Sequence, residues 1–264
     1  MIKINENWNA GDPYEYFMGR WSSLMAPKFL KWLNVPSNKK WLDVGCGTGA
    51  LSEAIEQNCK PKNLTCIDPP ESFIEKVKQR ISITGEFRVS NVENLPFENK
   101  SFEIIVSGLA LNFFPNLDSA LSELKRVSKQ HGVIAAYVWD YSDRMDFLRL
   151  FWDAAYHIDP KSRELDEGLR FPICDSENLI NLFESANLME VESAKLDIDT
   201  DFKSFDDYWN PFLGGQGPAP SYLASLNSEL QKVLKNNIKE RIRFEFDGSF
   251  KLLGRAIAIK GKCK

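Results

Sequence analysis

Apolar positions along the first half of the chain fall into short runs separated by stretches of helical period, and the alternation is regular enough to predict elements. Residues 40–44 (Lys-Trp-Leu-Asp-Val) read as a strand, followed by a glycine turn and a helix from Ala50. Further strands are predicted at 64–68, 86–89, 102–107 and 133–139. Between them, a helix over 71–82 shows Phe73, Ile74, Val77 and Ile81 on one face, and a second carries Leu117, Ala120, Leu121, Leu124 and Val127 as one stripe. Five β-α units at this spacing imply an α/β fold whose parallel sheet is covered on both faces and joined by right-handed crossovers.

The flanks differ. Residues 1–34 are aromatic-rich, with Phe17, Trp21, Leu24, Phe29, Leu30 and Leu33 near helical period, and predict one or two helices broken or restarted at Pro27. After Asp140 a helix-rich stretch over about 147–186 predicts a helical cap, placed at 141–187. A strand over 190–199, a glycine- and proline-rich loop from Gly214 to Pro220, an amphipathic helix over 226–242 and a strand over 251–259 then complete the sheet within 188–264. No internal repeat interrupts this pattern, so 1–264 is expected to be a single domain with an N-terminal helical lid over 1–34.

Composition narrows the possible partners. The net charge of −4 argues against a general nucleic-acid binder, which needs a broad basic face to displace counterions from phosphates. Charge is nevertheless uneven: Glu229 to Lys264 carry ten Lys/Arg against four Asp/Glu, read as a solvated basic face and tail. The five cysteines (Cys46, Cys59, Cys66, Cys174, Cys263) show no CxxC pairing and no signal peptide opens the chain, so a reduced cytosolic setting is expected. No apolar run approaches a bilayer span, and His131 and His157 have no ligand-spaced partner, so neither membrane insertion nor a zinc site is expected.

The segment Asp43-Val44-Gly45-Cys46-Gly47-Thr48-Gly49 carries the chemistry. Glycines let the backbone turn sharply and approach a ligand closely. Their spacing alone also satisfies a relaxed dinucleotide pattern, since Ala50 follows Gly47 by three. Asp43 separates the two readings: a carboxylate beside the turn repels a pyrophosphate but complements the ammonium and sulfonium of S-adenosylmethionine. It can also serve merely to brace the turn through backbone N–H groups. Asp68, 19 positions past Gly49 at the end of the second strand, can accept both ribose hydroxyls of either nucleoside cofactor, or be an ordinary turn residue before Pro69-Pro70.

With Asn91-Val92-Glu93-Asn94-Leu95-Pro96-Phe97 and Ser101-Phe102-Glu103-Ile104-Ile105 added, the chain resembles the class I S-adenosylmethionine-dependent methyltransferases, in particular the ubiquinone/menaquinone-biosynthesis-like group. It is also similar to a bacterial subset marked by Tyr-x-x-Phe-Met-Gly-Arg-Trp-Ser near the start and Trp-Asn-Pro-Phe-Leu-Gly-Gly-Gln-Gly-Pro-Ala-Pro near the end, so the likeness runs from about Pro13 to Pro220. The resemblance implies a Rossmann-like, seven-stranded, mostly parallel sheet in order 3-2-1-4-5-7-6, with the last strand antiparallel. It implies S-adenosyl-L-methionine as cofactor, held at its methionyl part by Gly45, Cys46 and Gly47 within the Asp43–Gly49 turn. Asp68 would hold the ribose, Asn91 and Val92 the adenine, and the Ser107 carbonyl the methionyl ammonium. Tyr16 and Arg20 would fold over the cofactor, with Arg20 pairing with its carboxylate. Two departures stand out: Asn91 replaces the usual Asp, keeping a carbonyl oxygen as acceptor, and His131 replaces the usual glycine after the fourth helix, where it reads as a turn residue.

Methyl transfer is an in-line displacement at an activated carbon, so the protein must align an acceptor at about 3–3.5 Å and exclude water. A base is needed only if the acceptor must lose a proton, and no His-Asp or paired-carboxylate motif identifies one. Asn112, Trp139, Asp140 and Tyr141 follow the fourth and fifth strands and are the catalytic candidates, or else packing and turn residues. Trp152, Phe171, Tyr208 and Trp209 enclose a small acceptor or form core. A small-molecule methyltransferase is therefore expected, the alternatives being a cofactor-binding protein without turnover and, disfavoured by Asp43, a nicotinamide oxidoreductase.

Overall fold

The computed structural model describes residues 18–82, 85–214 and 217–264. In chain order the main elements are α1 (Arg20–Leu33), β1 (Lys40–Val44), α2 (Ala50–Cys59), β2 (Asn63–Asp68), α3 (Glu71–Arg80), β3 (Gly85–Val89), β4 (Phe102–Gly108), α4 (Leu117–Val127) and β5 (Ser128–Trp139). They continue as α5 (Asp146–Ile158), α6 (Glu167–Arg170), α7 (Ser176–Ser185), β6 (Met189–Phe202), α8 (Phe205–Trp209), α9 (Pro218–Ser225), α10 (Ser228–Arg241) and β7 (Phe250–Lys262).

The strands form one seven-stranded sheet in the order β3-β2-β1-β4-β5-β7-β6, as the family resemblance implies. β1 to β5 are parallel neighbours, with Asp43 level with Cys66 on one side and Val106 on the other. β7 runs against β5: the His131 N–H bonds the Cys263 carbonyl at one end, and the Asp140 N–H bonds the Arg255 carbonyl at the other. β1 is buried at every position after Lys40, so apart from Asp43 it is apolar on both faces rather than alternating.

Two compact units divide the chain. Among the described residues, a glycine-loop unit comprises 22–138, 173–196 and 256–264, and an aromatic unit comprises 18–21, 139–172 and 197–255. In the first, the α4 stripe Ala120, Leu121, Leu124 and Val127 is buried, and Asn116 caps the helix by accepting the Ser119 N–H at 2.9 Å. Leu121, Leu124 and Val127 each contribute about 1.5–3 kcal/mol on burial, and Ala120 less.

In the aromatic unit, Phe147, Phe151, Phe202, Tyr208, Phe212 and Phe250 stack or meet edge to face with centroids 4.7–6.1 Å apart. Tyr208 donates its hydroxyl to the Phe147 carbonyl at 2.9 Å, and Trp152 and Trp209 are buried. The stacked rings are therefore core, while Trp152 also lines a cavity with Arg149, Tyr156, Asp166 and Leu169.

Three expectations are corrected. α1 is continuous through Pro27 rather than broken there. Pro27 sits on the exposed face, so the carbonyl it leaves unbonded can meet water, while Trp21, Met25, Phe29 and Leu33 fix the helix from the buried side. Leu24, counted in the apolar stripe, points outward at 49% exposure. His131, expected in a turn, instead lies within β5 where its register against β4 is irregular, and its φ of 59° is a conformation glycine adopts freely. No helix among the described residues is long and apolar enough to cross a membrane.

Candidate functional site

The turn after β1 is built from three left-handed glycines: Gly45 at φ 71°, Gly47 at 53° and Gly49 at 92°. Two are locked by what lies behind them. A Cβ on Gly45 would stand 2.5 Å from the Ala110 Cβ, and one on Gly49 would stand 2.8 Å from Val77 Cγ2, both closer than carbon atoms tolerate. A Cβ on Gly47 would meet nothing within 4 Å among the described residues. The turn thus has a packed back and an open face, and the face opens at Gly47.

Backbone bonds hold the turn against β2. The N–H groups of Gly45 and Cys46 share the Ile67 carbonyl at 2.9 and 3.1 Å, and the Gly49 N–H closes the turn on the Cys46 carbonyl at 2.9 Å. The Gly47 N–H donates to Asp68 Oδ2 at 2.8 Å, so the second acid is tied directly to the glycine at the open face. Asp68 is nearly buried, and burial pushes its carboxyl up to about 6, with the Gly47 bond pulling the other way.

Asp43 lies at the end of β1 with no exposure. Its Oδ2 accepts the Ser52 hydroxyl at 2.6 Å, while its Oδ1 is buried without a hydrogen-bond partner among the described residues. Burial pushes the carboxyl up to about 7, lowered by the Ser52 bond and raised again by the Asp68 charge. A buried acceptor left unmade costs about 1–3 kcal/mol, so this oxygen marks a place where a donor belongs. Ser52 was not singled out from sequence; its signal is a hydroxyl in the first turn of the helix that follows the glycines. Cys46 offers no nucleophile: the Cys66 thiol hydrogen-bonded to it, and then burial, hold its thiol well above the usual range.

The remaining candidates divide between the units. Asn91 and Val92 follow β3 in the glycine-loop unit, Asn91 exposed with its Oδ1 accepting the Glu93 N–H at 3.3 Å, Val92 buried. Ser107, near the end of β4, is buried, and its hydroxyl has no hydrogen-bond partner among the described residues. Asn112, in the short 3-10 turn Leu111–Phe113, has both amide atoms buried and unpartnered among the described residues.

Trp139, Asp140 and Tyr141 belong to the aromatic unit and are all buried. Asp140 Oδ1 accepts the Asp143 N–H at 3.2 Å and the Ser142 hydroxyl at 3.5 Å, which makes it a brace of its own turn. Arg20 is also in that unit. Its guanidinium donates to Asp207 Oδ1 at 2.8 Å and to the Asp207 carbonyl at 3.3 Å, and stacks 4.2 Å from the Trp21 ring and 4.9 Å from that of Phe202. Tyr16 lies outside the described residues.

These residues fit S-adenosylmethionine. A cationic methionyl group answers a buried, half-paired carboxylate such as Asp43, a ribose answers Asp68, and a side-chain-free face at Gly47 admits the ligand against the backbone. A pyrophosphate would meet two buried acids instead.

Comparison with known proteins agrees. Residues 42–136 match the family described as "Methyltransferase domain". The chain is similar to a demethylmenaquinone methyltransferase from Geobacillus stearothermophilus, 30% identical over 192 residues that span 62% of this chain and 80% of the relative. It is also similar to methyltransferase tpcH from Aspergillus fumigatus, 28% identical over 107 residues, covering 37% of this chain and 38% of that protein. The match to this second relative therefore spans well under half its length. Among solved structures, the Bacillus subtilis YcgJ protein superposes with a TM-score of 0.55 at 17% identity over 93% of this chain and 99% of its own. Haemonchus contortus phosphoethanolamine N-methyltransferase 2, solved with phosphomonomethylethanolamine and S-adenosylhomocysteine, gives 0.58 at 12% identity over 95% of this chain and 56% of its own. At these identities the superpositions speak for the fold.

Proposed function

The chain belongs to the class I S-adenosylmethionine-dependent methyltransferases, in the ubiquinone/menaquinone-biosynthesis-like group, and from that premise we propose that it methylates a small-molecule acceptor by in-line transfer. The observation that carries the reading is the face at Gly47, open among the described residues, with Asp43, one of whose buried oxygens has no partner among them, and Asp68 tied to the Gly47 N–H. The bound cofactor supplies a methyl group made electrophilic by positive sulfur. Everything else falls to the chain's own residues.

Asp43 holds positive charge beside the turn; its Ser52 bond fixes the carboxylate plane so that Oδ1 is the free acceptor. Gly45, Cys46, Gly47 and Gly49 keep the backbone low enough for close approach. Asp68 presents its Oδ1 to the ribose hydroxyls, since its Oδ2 is occupied by the Gly47 N–H. Asn91 and Val92 flank the adenine, and the Ser107 carbonyl receives the methionyl ammonium. Tyr16 and Arg20 remain candidates for the cofactor's outer side.

Asn112 stands first among the catalytic candidates, ahead of Trp139, Asp140 and Tyr141. Its amide offers donors and an acceptor, none of them engaged among the described residues, and it sits two positions from Ala110, which backs Gly45. An amide orients an acceptor but takes no proton, which suits a reaction driven by alignment. The relative named for demethylmenaquinone supports an acceptor in the small-molecule class. The same reading gives no role to nucleic acid or to membrane insertion, and places the protein in the cytoplasm.

The test is release of S-adenosylhomocysteine from S-adenosylmethionine with a panel of hydroxylated aromatics, quinols and amines. Acceptor-dependent release supports the proposal. Saturable cofactor binding without release for any acceptor class would make the protein a cofactor binder without turnover.

A further inference from the structure

The back of the glycine turn is fastened by one side chain that neither the family match nor the sequence pattern points to. Arg80 ends α3, and its guanidinium reaches three elements at once: Nε donates to Glu53 Oε2 on α2 at 2.8 Å, one terminal nitrogen to the Thr48 carbonyl at 3.4 Å, and the other to Ser23 Oγ on α1 at 3.0 Å. All of these residues lie in the glycine-loop unit. The Thr48 carbonyl belongs to the peptide whose other end, the Gly49 N–H, closes the turn on the Cys46 carbonyl. Holding that carbonyl therefore sets the plane of the peptide that closes the turn. The Arg80 stem takes part as well, since a Cβ on Gly49 would touch Arg80 Cδ at 3.4 Å.

We propose that Arg80 is a positioning residue for cofactor binding: by gripping the Thr48 carbonyl from behind, it holds the glycine turn with its open face and the Gly47 N–H directed at Asp68. The inference rests on the reading of that face as the cofactor site. A flat guanidinium with donors in a fixed fork can serve Glu53, Thr48 and Ser23 together, whereas a lysine ammonium on its flexible stem cannot reach three divergent acceptors in one geometry. Its bond to Glu53 anchors the fork in the first turn of α2, so the turn and the helix that follows it move as one piece.

The experiment is calorimetric titration of S-adenosylhomocysteine into the full-length protein and into Arg80→Lys, Arg80→Ala and Glu53→Gln, with the amide resonance of Gly47 followed in the ligand-free proteins. Arg80→Ala is expected to weaken binding about 10-fold or more, the size of a lost charge-assisted bond, with Arg80→Lys and Glu53→Gln intermediate. The Gly47 amide should shift upfield as its bond to Asp68 loosens. If Arg80→Ala fails to fold, the Lys and Gln variants carry the same prediction at about 3-fold. Wild-type affinity and an unmoved Gly47 resonance in folded variants, even with a lower Tm, would overturn the inference and leave Arg80 as scaffold. Absence of binding by the wild-type protein would instead overturn the cofactor reading itself.

Discussion

The Gly47 N–H donates to Asp68 Oδ2 at 2.8 Å, joining the open face of the glycine turn to the acid that ends the neighbouring strand. One bond thereby orients the carboxylate and fixes the backbone that approaches the ligand. Asp68→Ala removes both functions, and S-adenosylhomocysteine binding is expected to weaken about 10- to 100-fold, the range for losing hydrogen bonds of ~1.5–3 kcal/mol to a charged group. Calorimetry on the folded variant checks this; unchanged affinity would remove Asp68 from the site.

The three turn glycines should respond differently to alanine. Gly47→Ala meets no atom of the described residues within 4 Å, so it should fold with only the ~1–2 kcal/mol cost of a left-handed alanine while its methyl group obstructs the ligand. Gly45→Ala drives a Cβ to 2.5 Å from Ala110 and should lose stability as well as binding. Paired melting curves and titrations separate the two. Equal destabilisation with retained binding in Gly47→Ala would contradict the assignment of the open face.

Asp43 makes a prediction about pH. Its carboxyl stands near 7 in the folded chain against 3.8 as its ordinary value, so between those limits the folded protein holds a proton that the unfolded chain has lost. Stability contributed by this group is therefore present at low pH and lost as pH rises from about 4 through 7. Asp68, pushed up to about 6, adds loss of the same sign. Asp43→Asn should flatten this slope and raise the Tm of the ligand-free protein at pH 8, while weakening S-adenosylmethionine binding. Melting curves across pH, with and without cofactor, measure both effects, and a variant that loses stability at pH 8 would contradict the assignment.

How much of this is legible in sequence depends on how local the cause is. The β-α repeats, Asp43, the glycines and Asp68 lie within one β-α-β stretch, and their spacing alone brings them to one edge of the sheet. The closing contacts span greater distances. Arg20 and Asp207 are 187 positions apart, and Arg80 and Ser23 57, and no periodicity couples such pairs. Pro27 misleads for a different reason: proline predicts a break, but a buried stripe from Trp21 to Leu33 outweighs one missing hydrogen bond on the solvent side. The aromatics Tyr208 and Trp209 admit both pocket and core in sequence, and only their contacts decide for core, whereas Trp152 is buried against Tyr222 and also lines a cavity.

His131 offers a control away from the site. Its φ of 59° strains a side-chain-bearing residue, and the N–H bond to the Cys263 carbonyl is one glycine can also make. His131→Gly should leave stability unchanged or raise it by up to about 1 kcal/mol, and leave cofactor affinity alone. Denaturant unfolding checks the first point and titration the second; a loss of binding would give this histidine a role the geometry does not assign.

Asp43 is a buried carboxylate that gains its charge partner when the cofactor binds. Titration of S-adenosylmethionine into the protein at pH 6.5, in two buffers of different ionisation enthalpy, measures affinity and proton exchange together. Saturable one-site binding with net proton release, abolished in Asp43→Asn, is the predicted result. A folded protein that shows no saturable binding, or that binds with net proton uptake, would contradict it.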